Sequence, residues 1–130
     1  MMSLFSTNFS EVKGFIKDLK ERAFQFRDSP LVPLYDFGKS NASWLNERID
    51  FLIHTVNKLD SSYCSSITFA LKDIQNDVSV LALEVDSANR GHKESRGKIP
   101  IYAGKIYNNI LGVERYVQAL KKSSSTNSKL

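Results

Sequence analysis

The sequence predicts an all-α protein, an antiparallel four-helix bundle with a long, apolar, proline-containing connection between its first two helices. Four segments place apolar residues three and four apart, no segment alternates as a strand does, and no unit of roughly 20 to 50 residues repeats. The chain has 130 residues, 42% hydrophobic and 25% charged, which fits one globular domain. Residues 1–122 are expected to form that domain, and 123–130, which reads SSSTNSKL, a disordered tail.

In the first helix, Phe9, Val12, Ile16, Leu19, Ala23 and Phe26 share one face. Asn8 with Glu11 suggests a capping box, so the helix is expected over Phe9–Arg27. Asp28–Lys39 contains Pro30, Pro33 and Gly38 among Leu31, Val32, Leu34, Tyr35 and Phe37. Such a connection is irregular, and its apolar content favours packing along the body. The second helix carries Leu45, Ile49, Leu52, Val56 and Leu59 over Asn41–Leu59, with Ser40 or Asn41 as cap. Ile67, Leu71, Ile74, Val78, Leu81, Val85 and Ala88 define a third helix, Ser62–Asn89, about 40 Å long at 1.5 Å per residue. The polar run Arg90–Ile99 with two glycines reads as a loop. Pro100 suits a first helical turn, and Ala103, Ile106, Ile110, Val113, Val117 and Leu120 carry the fourth helix to about Lys122. The sequons at Asn8 and Asn41 fall where caps are expected and are read as caps.

Several classes of function are excluded or left without support. The single cysteine, Cys64, permits no internal disulfide and no cysteine-based zinc site. No apolar run is long enough to insert into a membrane, and the first fifteen residues lack a signal-peptide pattern, so a cytoplasmic protein is expected. Phosphate-loop, dinucleotide-binding, HExxH and EF-hand signatures are absent, and no cofactor or metal is implied.

Charge is uneven. Residues 1–65 carry eight charges of each sign, residues 66–89 a net −3, and residues 90–130 a net +7. The basic third favours an anionic partner. Arg90, His92, Lys93, Arg96, Lys98 and Lys105 are the candidates for a phosphate or nucleic-acid contact near a helix N-terminus. Tyr102, Tyr107 and Tyr116 could stack bases or broaden the core.

Two arrangements centre an enzyme on His54, which falls opposite the seam of the second helix. A solvent-facing histidine on a four-helix bundle is similar to the histidine-containing phosphotransfer domains, a likeness that implies phosphoryl transfer at His54. That family usually reads H-x-x-K-G; here the run is His54-Thr55-Val56-Asn57-Lys58, with the lysine displaced by one residue and no glycine. Arg48 and His54 have the R-x5-H spacing that resembles HEPN-type ribonucleases, which implies arginine on phosphate and histidine on the 2′-hydroxyl proton. Six residues on one helix leave two side chains about 120° apart. The alternative role for Arg48 is a surface pair with Glu47 or Asp50.

Apolar residues off the seams point to partners. Trp44 and Phe51 form a column on the second helix, Phe69, Val80 and Leu83 a stripe on the third, and Phe24 stands off the first. The Leu31–Phe37 segment could cover the Trp44 column. A helix apolar on two sides is either central or meets another chain, which makes homodimerisation through the third helix an expectation. These residues support a non-enzymatic interaction module, a small regulatory, adaptor or immunity-type protein that binds another macromolecule.

Overall fold

The computed structural model describes residues 2–28, 39–59 and 62–128, with side chains described for 4–25, 41–59 and 62–122. Its elements are α1 (Met2–Asp28), α2 (Lys39–Val56), α3 (Tyr63–Asn89) and α4 (Lys93–Ser128). They form an antiparallel four-helix bundle. The apolar connection between α1 and α2, and with it any cover that segment gives Trp44, lies outside the described residues.

Paired side chains fix the direction and order of the helices. Glu11 meets Arg48 and Phe15 meets Trp44 across α1 and α2. Gln75 donates to the Asp50 carboxylate and Thr68 to the Asn57 amide oxygen across α2 and α3. Asp77 pairs with Lys105 and Tyr63 with Tyr116 across α3 and α4, while Lys13 pairs with Glu114 and Lys20 lies over the Tyr107 ring across α4 and α1. In every pair the numbers rise on one helix as they fall on the other. Neighbours therefore run antiparallel in the order α1, α2, α3, α4 and back to α1. The α3/α4 seam is the most extensive and the α1/α2 seam the least.

The core is the set of seams the periodicity defines. Val12, Ile16, Ala23, Leu45, Ile49, Leu52, Val56, Ile67, Leu71, Ile74, Val78, Leu81, Ile106, Ile110 and Val113 have no exposed surface. Fully burying each large aliphatic side chain contributes about 1.5–3 kcal/mol of transfer free energy, which offsets the entropy of ordering four helices.

Several boundaries differ from expectation. The first helix starts at Met2, because Phe5 extends the seam by one turn and is fully buried. Asn8 is therefore no cap; its amide donates to the Leu4 carbonyl at 2.8 Å inside the helix. Asn41 likewise lies within α2, which begins at Lys39. The largest difference is at Arg90–Ile99, expected as a loop, where residues 90–92 alone form the turn. Gly91 has φ +100° and donates to the Ala88 carbonyl at 3.0 Å, and the His92 N–H donates to Ser87 at 3.2 Å. This is a Schellman closure, which satisfies the last carbonyls of α3 with glycine in the left-handed position. The chain re-enters helix at Lys93, so Pro100 lies inside α4 rather than at its start. Ile99, fully buried, draws these extra turns onto the core. At its other end α4 passes Lys122 and continues to Ser128, so the tail expected to lack structure is helical that far.

Candidate interaction surfaces

The basic candidates are on the turn at residues 90–92 and the first turns of α4 and do not converge on one point. Arg90 Nη2 lies 3.0 Å from Asp86 Oδ2 and Lys105 Nζ 3.3 Å from Asp77 Oδ1. Asp77 is nearly fully buried, so Lys105 neutralises a carboxylate of the bundle's own. At 100° per residue, Lys98 and Lys105 stand on the α3-facing flank of α4, Arg96 on the α1-facing flank and Lys93 outward. His92 and Lys93 line two shallow clefts beside the turn, one shared with Lys98 and Glu94, the other with Arg96. Tyr102 and Tyr107 pack half-buried against the core, and Tyr107 holds the Lys20 ammonium 4.3 Å from its ring centre. Tyr116 is 40% exposed.

The catalytic candidates are apart. His54 is exposed on the outer side of α2. Arg48 turns toward α1, where its guanidinium lies 3.9 Å from Glu11 and 5.3 Å from the centre of the Trp44 ring. Neither of the neighbours expected for Arg48 holds it, and Asp50 instead accepts from Gln75 at 2.6 Å. Among the described residues no group of three or more His, Cys, Asp or Glu could hold a metal, and no helix is long and apolar enough to cross a membrane. Cys64 is buried, its thiol donating to the Leu59 carbonyl.

No family model, curated protein or solved structure matches this chain.

The off-seam apolar residues divide into two groups. Trp44 is half-buried, its ring 5.0 Å from Phe15, so this column is covered by α1 at its upper end. Phe51 and Phe24 are exposed, at 39% and 37%. On α3, Phe69 and Leu83 are 70% and 68% exposed, and Val80 is half-buried. These α3 residues occupy two faces. Leu83 borders a groove of about 620 Å³ between the start of α2 and the end of α3, lined also by Asn46, Ala82, Asp86 and Arg90. The Asn46 amide oxygen is buried there without a hydrogen-bond partner. Phe69 and Val80 rotate instead to the outer face shared with α4, as 100° per residue requires. That face carries a residue the periodicity passed over: Ile101, 67% exposed. Ile101 falls in the first turn expected of the fourth helix, and its place two residues from both Ile99 and Ala103, about 200° around the helix, is the signal that marks it as outward. Leu4, 53% exposed, lies ahead of Phe9, the expected start of the first helix, and was outside the periodic segment for that reason.

Proposed function

We propose that this chain is a non-enzymatic helical interaction module, a small regulatory, adaptor or immunity-type protein of the cytoplasm that binds another macromolecule through the outer faces of α3. One observation carries the reading: Phe69 and Leu83 are about 70% exposed on a helix whose opposite side already fills the core. A bundle with its seams complete gains nothing internally from two large apolar side chains held in water, whereas a docking surface uses them as anchors.

Affinity capture from the native cell with wild type, Phe69→Glu and Leu83→Glu tests it, each variant first matched to wild type in helicity and melting. Partners retained by wild type and lost with either variant are expected. Capture unchanged by both substitutions would remove the apolar faces as the working surface. If the basic turn were the functional site instead, binding of a nucleic acid would fall steeply with salt and would ignore both substitutions.

A further inference from the structure

The α3/α4 face has the composition of a surface that meets its own copy. The register set by Asp77–Lys105 and Tyr63–Tyr116, with 100° of rotation per residue, places Phe69, Asp73, Val80 and Glu84 of α3 on it. From α4 it receives Lys98, Ile101, Lys105 and Gly112, level in turn with Glu84, Val80, Asp77 and Phe69. The α3 half of the face is acidic and the α4 half basic, apart from Glu94 beside the turn. Among the described residues Lys98 is exposed and makes no ion pair, and one carboxylate oxygen of Glu84 is buried without a hydrogen bond. Gly112 leaves open space, since a Cβ there would meet nothing within 4 Å.

We propose that two copies of this chain pair through these faces about a two-fold axis parallel to the bundle, so that α3 of each lies over α4 of the other. The inference rests on the interaction-module reading and names the partner for one of its two surfaces. Face-to-face pairing of identical chains requires the two-fold axis to lie in the interface plane, which leaves two arrangements. An axis across the helices stacks α3 on α3 and sets Asp73, Asp77 and Glu84 against the same residues of the other copy. An axis along the helices sets Glu84 against the partner's Lys98, Val80 against the partner's Ile101, and the Phe69 ring over the partner's Gly112, where no side chain stands in its way. Charge selects the second. The area is sufficient as well: α3 has 27 residues, so a face about 40 Å long and two helices wide offers roughly 800 Å², the usual share of each partner in a stable interface.

Sedimentation equilibrium on purified protein, from micromolar to sub-millimolar concentration, tests the pairing without any other partner present. Wild type is expected to reach twice its 14.7 kDa. Glu84→Lys alone and Lys98→Glu alone should each weaken the dimer by about tenfold or more, and an equimolar mixture of the two should restore it, because each copy then complements the other. Gly112→Gln should weaken it comparably while leaving the unfolding midpoint of dilute protein undiminished, which separates loss of the interface from loss of the fold. A wild type that stays at 14.7 kDa overturns the pairing, and so does a mixture that associates no better than its components. The interaction reading fails separately, if capture from the native cell ignores both Phe69→Glu and Leu83→Glu.

Discussion

Ile74 and Phe69 stand five residues apart on α3, the first with no exposed surface and the second 70% exposed. Shortening Ile74 leaves a void that close-packed neighbours fill only in part, so Ile74→Ala should lower the unfolding free energy by about 2–5 kcal/mol. Phe69→Ser, measured by the same urea titration in protein dilute enough to be monomeric, should stay within about 0.5 kcal/mol of wild type. Lys105 belongs between these extremes. Its ammonium is mostly in water, yet its partner Asp77 is almost wholly enclosed. Lys105→Met should cost about 1–3 kcal/mol, the range for stranding a buried acceptor, and this structural duty is why Lys105 is a poor candidate for a free phosphate ligand.

Among the elements, the turn at residues 90–92 depends on one glycine. Gly91 has φ +100° and open space around its Cα, so Gly91→Ala should cost about 1–2 kcal/mol through backbone conformation alone. Gly112, also in open space but inside α4, should respond oppositely, Gly112→Ala adding about 0.5–1 kcal/mol; thermal melts of both variants check the contrast. Pro100 removes a backbone donor from the third turn of α4 and crowds the Arg96 carbonyl. Four core seams and the fold class were legible because the three-and-four rhythm is a direct projection of burial. The ends were not. Asn8 and Pro100 are residue types that favour helix starts, and each was given that role, but Phe5 and Ile99 continue the same rhythm one turn further out and their burial outweighs the local preference. Inter-helix partners were equally illegible. Periodicity gives the angle of Trp44 on its own helix, not that Phe15 of α1 stands at that angle, and it gives Arg48 a direction without supplying Glu11. The same gap hid the division of the α3 stripe, since which outer face takes Leu83 and which takes Phe69 depends on where α2 and α4 lie.

At the scale of the molecule, the acidic 66–89 stretch and the basic 90–130 stretch fold into adjacent antiparallel helices, and part of each cancels the other through Asp77–Lys105 and Asp86–Arg90. The net +7 of the final third therefore overstates what an anion encounters. Duplex DNA titrated at physiological salt, followed by fluorescence anisotropy, should bind no tighter than about 1 µM, the tight end of non-specific association. The seams between helices are also unequal, α3/α4 the broadest and α1/α2 the narrowest, and this inequality governs how the bundle breathes. Amide hydrogens at Ile74, Val78, Ile106 and Ile110 should exchange with solvent only through global unfolding, whereas those of α2 should exchange through a smaller, cheaper excursion in which α1 and α2 part while the hairpin of α3 and α4 persists. The chain's one tryptophan sits on the seam that parts, against Phe15, so its emission reports that excursion directly. A ligand that traps the parted state would reach Trp44 and Phe51 together with the inner side of α2, a binding surface that exists only for the fraction of time the bundle is ajar.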